Sequence, residues 1–357
     1  MRRRTALLCA CALALLTAPH AGAARPRAAV REPVVALIDT GVNPFHQEFD
    51  YRGPSSTVDQ FVGWWDFTSE RKGTITSPAP GQAWDTAVRD PYDVHGHGTL
   101  TASMVGGRTA DPRKTPAALP GARLAIAKVM TGSSGTLEGS IGDAVRWATD
   151  TIHADVVNIS IGSLVPAPSL VVQDAYDAIA AARRKGVLVV VANGNGFANA
   201  GAVPGDPGWA NWFASSPSVL AVGAAGPYGY LVSTDPEVVA QYSVTGPSNT
   251  DNKGYVTESG TSFASPYVAG FAAALVREAR LGNHPLTADR LEQLLTWSAT
   301  DTVTPVQFEG YGVLSAAELP VALAHARAGT VPTRPSPDLN ALYVEQVSGS
   351  LRTLWSG

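Results

Sequence analysis

Apolar residues in this chain gather in short, largely unbroken runs. Val34 to Ile38, Leu124 to Val129, Val156 to Ile161, Val187 to Val191 and Val219 to Val222 are rich in valine, isoleucine, leucine and alanine. Runs this short, without strict polar alternation, predict strands buried on both faces. Between several of them lie stretches with helical character, Leu137 to Thr151 and Leu170 to Arg184. Strands alternating with helices predict an α/β fold of three layers, a mainly parallel central sheet with helices on both faces. In such sheets active sites gather at the carboxyl ends of the strands.

The flanking segments set the organisation. Arg2, Arg3 and Arg4 precede an uncharged apolar run from Ala6 to Leu16, followed by Pro19 and Ala21-Gly22-Ala23. This is the pattern of an export signal, so residues 1–23 are expected to be removed and the product secreted to the extracellular space. Residues 24–33 form a short extension rich in alanine, arginine and proline, and 34–328 the main domain. Gly329-Thr330-Val331-Pro332-Thr333-Arg334-Pro335 reads as a linker that opens a tail, 329–357. The stretch from Tyr51 to Tyr92 mixes Gly, Pro, Ser, Trp and charged residues without periodicity, and reads as a long loop or small excursion. No apolar segment reaches the about 20 residues of a membrane span.

Composition narrows the picture further. With 357 residues, 45% hydrophobic and 16% charged, the chain can bury a large core and is not of the disordered class. Its 35 glycines and 26 prolines are more turn punctuation than a helical bundle carries. The formal charge of -4 becomes more negative once the signal arginines are discounted, so a basic footprint for nucleic acid is absent. Both cysteines, Cys9 and Cys11, lie in the signal segment, which leaves the mature product without a disulfide or a cysteine metal site.

Three short motifs stand at element boundaries: Asp39-Thr40-Gly41 after the first strand, His97-Gly98-Thr99 before an apolar helix, and Gly260-Thr261-Ser262 before another. Asp-Thr-Gly also marks aspartic proteases, but those need two such aspartates sharing a proton and this chain has one. Together the three motifs supply what acyl transfer requires: an attacking hydroxyl, an imidazole to take its proton, and a carboxylate to orient the imidazole. The order Asp, His, Ser and the words VALIDTG (35–41), GHGTLTASMVG (96–106), VVNISIG (156–162) and SGTSFASPYVAG (259–270) resemble the subtilisin-like serine proteases. The resemblance runs from about Val34 to about Ala328.

That resemblance implies a serine endopeptidase with Ser262 as nucleophile, His97 as general base and Asp39 as its orienting partner. It also makes Asn195, in Gly194-Asn195-Gly196, a donor to the oxyanion, with the Ser262 N–H as the other. A peptide substrate would add as a strand along two edges, Ser134-Gly135-Thr136 and Ser160-Ile161-Gly162. The second edge, with Ala192-Asn193-Gly194, would wall an uncharged pocket that favours apolar side chains unless Asp206 points into it. Relatives usually carry a folded pro-domain, whereas here only residues 24–33 stand between the signal and the first strand, so the chain is expected to fold unaided or else to use a helper elsewhere.

His95-Gly96-His97 with Asp93 has the look of half a metal site, but Gly98-Thr99-Leu100 follows where a further ligand would be needed. The calcium loop common in the family is not recognisable around Gly106 to Leu119, and Glu48 alone is a poor carboxylate candidate. No metal and no cofactor are therefore assigned, and a monomer acting on protein or peptide is expected. Two alternatives remain: a catalytically silent scaffold that binds peptides, and an esterase sharing the acyl-enzyme chemistry.

Overall fold

In the computed structural model of the chain, β1 (Val34–Asp39) runs through the middle of a sheet with every residue buried. The structure describes residues 30–49, 60–68, 74–75, 92–108, 111, 113–131, 140–162, 170–195, 211–225, 238–241, 243–301 and 310–333. The chain divides into two units, 1–30 and 31–357, and the second holds the elements below.

The other strands are β2 (Phe61–Asp66), β3 (Thr74–Ile75), β4 (Arg123–Lys128), β5 (Val156–Ile159), β6 (Leu188–Ala192), β7 (Leu220–Ala225) and β8 (Val238–Gln241). They form one sheet of order β3-β2-β4-β1-β5-β6-β7-β8. All neighbours are parallel except β2 and β3. The two faces follow the period of two along each strand. Val35 and Leu37 of β1, Leu124 and Ile126 of β4, and Leu188 and Val190 of β6 pack on one side. Val34, Ala36 and Ile38, Ala125 and Ala127, and Val189 and Val191 pack on the other.

The first face is covered by α1 (His97–Gly106), α4 (Thr261–Gly282), α5 (Ala288–Ser298) and α6 (Leu319–Ala328), which bury residues such as Val105, Val268, Phe271, Leu294 and Ala322 against it. The second is covered by α2 (Ile141–Arg146), which continues as a π turn over Trp147–Thr151, and by α3 (Leu170–Arg184). The expected three-layer α/β fold is therefore the one observed. An antiparallel pair, β9 (Ser243–Pro247) and β10 (Tyr255–Ser259), leads directly into α4.

The segment from Tyr51 to Tyr92, expected to be a long loop or a small excursion, is not all loop, because β2 and β3 lie within it. Phe61 is fully buried between Phe49 and the buried Trp64, with a register shift between Phe61 and Gly63. That irregularity, with glycine and adjacent tryptophans, hides the strand from a periodicity reading.

Candidate active site

Asp39 is the last residue of β1, and the chain leaves the sheet at Gly41 with φ 111°, a conformation open to glycine. Its side chain is 1% exposed. One carboxylate oxygen, Oδ1, accepts from the Thr40 amide at 2.7 Å and meets His97 Nδ1 at 2.7 Å. The other accepts from the Thr101 hydroxyl at 3.2 Å. A carboxylate can only accept from the neutral ring, so Nδ1 carries the proton and Nε2 keeps its lone pair.

His97 opens α1 and keeps 20% of its side-chain surface exposed. A Cβ on the next residue, Gly98, would come within 2.2 Å of the Gly41 carbonyl oxygen, so the two motifs pack backbone on backbone. The ring lies 5.2 Å from that of Phe263, the residue after Ser262. Burial of the imidazole disfavours its charged form, but the Asp39 charge and hydrogen bond, then the charges of Asp93 and Glu258, outweigh this and hold the pKa above its ordinary value.

Ser262 is the second residue of α4, where backbone amides lack helical partners. Pro266, four residues on, has no N–H to give the Ser262 carbonyl. The Ser160 hydroxyl donates to that carbonyl instead, at 2.8 Å. Asn158 Nδ2 donates to Ser160 Oγ at 2.8 Å, and the Ser265 hydroxyl closes the circuit on Asn158 Oδ1 at 2.6 Å. The Ser262 hydroxyl itself donates to the Ser160 carbonyl oxygen at 3.0 Å and, among the described residues, is not hydrogen-bonded to His97.

Asn195 is exposed and accepts at Oδ1 from the Thr261 amide at 2.9 Å and the Thr261 hydroxyl at 3.1 Å. Because an amide N–H can only be met by the oxygen, Nδ2 is left to face elsewhere as a donor. Ser160, Ile161 and Gly162 follow β5 beside Ser262, and Asn211 Nδ2 reaches the Ile161 carbonyl at 3.3 Å. The predicted residues Asp39, His97, Ser262, Asn195 and Ser160 are thus linked through direct contacts or single neighbours. Ser134, Gly135, Thr136 and Asp206 lie outside the described residues.

Several residues around the site take no role of their own from the sequence: Thr40, Thr101, Asn158 and Ser265, which lie inside the quoted motifs, and above all Asp93, which lies outside them. The Asp93 carboxylate, weighed from sequence as a metal ligand, is fully buried and takes hydrogen bonds from five donors in two segments. Capping residues of this kind are signalled in sequence only by an Asp shortly before a helix start, a weak cue.

Comparison with known proteins bears on this arrangement. A family model described as the subtilase family matches residues 31–313. The thermophilic serine proteinase of Bacillus sp. (strain AK1) is 31% identical over 252 residues, 69% of this chain and 52% of that protein. Subtilisin DY of Bacillus licheniformis is 31% identical over 277 residues, 75% of this chain and 83% of that protein. The chain spans about half the length of the first relative and most of the second. Among solved structures, the prenylagaramide maturation protease PagA superposes with a TM-score of 0.58 at 23% identity, covering 82% of this chain and 93% of that one. The epidermin leader peptide processing serine protease of Staphylococcus aureus gives 0.60 at 20% identity, covering 82% of this chain and 75% of that one. These two share the fold. Since the family model spans most of the described chain and includes all three motifs, the protein belongs to the subtilase family.

Proposed function

We propose that the protein is a secreted serine endopeptidase in which Ser262 attacks, His97 is the base and Asp39 orients it. The observation that carries this reading is the 2.7 Å contact of Asp39 Oδ1 with His97 Nδ1, which leaves Nε2 as a proton acceptor, on a ring 5.2 Å from that of Phe263, the residue that follows Ser262 at the start of α4. A substrate backbone amide pairing with the Ser160–Gly162 edge competes for the Ser160 carbonyl and frees the Ser262 hydroxyl. Oγ then bonds to the scissile carbonyl carbon as its proton passes to His97 Nε2. The oxyanion is met by the Ser262 amide and Asn195 Nδ2. The C–N bond breaks as the imidazolium returns its proton to the leaving amine, and water repeats the sequence on the acyl-enzyme.

Export is supported by the N-terminal pattern. The test is a peptide-library digest of the secreted product. Ser262→Ala is expected to remove turnover and labelling by a fluorophosphonate while leaving the fold intact. Asn195→Ala is expected to lower kcat by about 10²–10³-fold, the loss found for one oxyanion donor in subtilisin. Normal peptidase activity in Ser262→Ala would overturn the assignment, and a wild type that binds peptides without cutting or labelling would favour the scaffold reading.

A further inference from the structure

Asp93 stands four residues before His97, fully buried, and among the described residues no ion pair balances its charge. A buried carboxylate is retained only where donors replace its water. Oδ1 accepts from the Thr40 hydroxyl at 2.9 Å, the His95 amide at 3.0 Å and the Gly96 amide at 2.8 Å. Oδ2 accepts from the Thr99 amide at 2.7 Å and the Thr99 hydroxyl at 2.6 Å.

These donors are the backbone that carries His97. Gly96 precedes it with φ 105°, in a conformation a side chain resists, and offers no capping side chain to α1. Thr99 is in the first turn, and its hydroxyl also accepts from the Asn43 amide at 2.9 Å. Thr40, next to Asp39, accepts from the Gly98 amide at 2.9 Å while it donates to Asp93. One carboxylate therefore ties the turn that follows β1 to the start of α1, on both sides of the Asp39–His97 contact.

Charge points the same way. The first turn of a helix is its positive end and opposes an imidazolium formed there. A carboxylate bonded to the orphan amides of that turn offsets the opposition, and it does so in a buried site that salt screens poorly. The groups facing the His97 ring are Asp39 of β1, Asp93, His95 with its ring centroid at 6.2 Å, Glu258 of β10, and the apolar Phe263 of α4. Nearby, Lys128 of β4 spends its ammonium on the Tyr92 carbonyl at 2.8 Å.

We infer that Asp93 is a positioning residue for His97: it fixes the turn and helix start that aim the ring, and supplies a second buried carboxylate that stabilises the imidazolium. The inference rests on the proposed role of His97 as base. It predicts two separable losses on Asp93→Asn, which keeps the shape but removes the charge and turns one acceptor into a donor.

The experiment is kcat and KM against pH for wild type, Asp93→Asn and Thr40→Val, at low and high salt, with active sites counted by a fluorophosphonate. In Asp93→Asn, kcat on the alkaline plateau is expected to fall about ten- to a hundredfold with KM little changed, the scale of a misaimed catalytic group. Its acid limb moves to lower pH, and the displacement survives high salt. Thr40→Val keeps the charge, so its plateau kcat falls while its acid limb stays. An unmoved acid limb in Asp93→Asn, or an equal displacement in Thr40→Val, overturns the inference. If Asp93→Asn does not fold, Thr40→Val and Thr99→Val each remove one arm of the network, and a normal plateau kcat in both overturns it. Failure of the wild type to label would instead count against the proposed function.

Discussion

Glu258 and Asp93 both place negative charge near His97, and they differ in exposure. Glu258 is exposed on β10, four residues before Ser262, whereas Asp93 is buried. The raised His97 pKa has a defined consequence for activity. If His97 is the base, as proposed, it must be neutral to act, so activity is expected to rise with pH through a midpoint above the ordinary histidine value of 6.5. The stabilising contribution of the charged Asp39–His97 pair runs the opposite way, being complete below the unfolded-state value and lost as pH rises through the folded one. Glu258→Gln is expected to move the acid limb of kcat/KM down at low ionic strength, and to lose that effect as salt shortens the range of an exposed charge. A pH–rate series at two salt concentrations checks this; a displacement indifferent to salt would mean that Glu258 acts through structure, not charge.

Among the elements, the 3₁₀ turn Gln47–Phe49 is joined to the site face by a buried ion pair. Lys114, in the segment after α1, meets Glu48 Oε2 at 2.5 Å, with side chains 3% and 0% exposed. Tyr255 of β10 donates to Glu48 Oε1 at 2.6 Å, and the Arg113 guanidinium sits 4.8 Å over the Tyr255 ring. Three segments around α1 are thereby locked on one carboxylate. Removing either partner strands a buried charge, so Glu48→Gln or Lys114→Met alone is expected to cost about 3–5 kcal/mol, and the double variant less than the sum. Urea unfolding of the three variants measures this, and additive losses would show that the pair is not coupled. None of it is legible in the sequence, where Glu48 reads only as a stray carboxylate. What the sequence does show is whatever needs one segment to be seen: β1, β4, β5, β6 and β7 as apolar runs, α3 by its spacing, and the three motifs at strand and helix ends. β10 escapes because Val256, Thr257, Glu258 and Ser259 are all exposed, so no buried face patterns it. Asp93 escapes because its donors, Thr40 and the start of α1, are brought to it by the fold alone.

At the scale of the whole molecule, the family match ends at residue 313, yet the packed structure continues. Ala322 and Ala326 of α6 are fully buried, and Leu319 and Leu323 pack on the same core as α4 and α5. A Cβ on Gly282, at the end of α4, would come within 1.8 Å of the Arg327 carbonyl oxygen, so the two helices meet backbone to backbone there. Arg327 Nε donates to Glu278 at 2.6 Å, and the His325 and Trp297 rings are 4.7 Å apart. The helix so covered is the one whose first turn carries Ser262 and whose body packs on β5, β6 and β7. Loss of α6 would therefore uncover the far end of the element that positions Ser262, the proposed nucleophile. A chain stopped after Ala317 is expected to lose on the order of 3–5 kcal/mol, from two buried alanines, two partly buried leucines and the core they cover. A chain stopped after Thr333 is expected to match the full chain in both stability and activity. Urea midpoints and peptidase rates of the two truncations separate the possibilities: equal stability of both would place the domain boundary at the end of the family match, and make α6 an appendage. Unequal stability, with the shorter chain losing activity at a lower temperature, would place the boundary after α6, near Ala328.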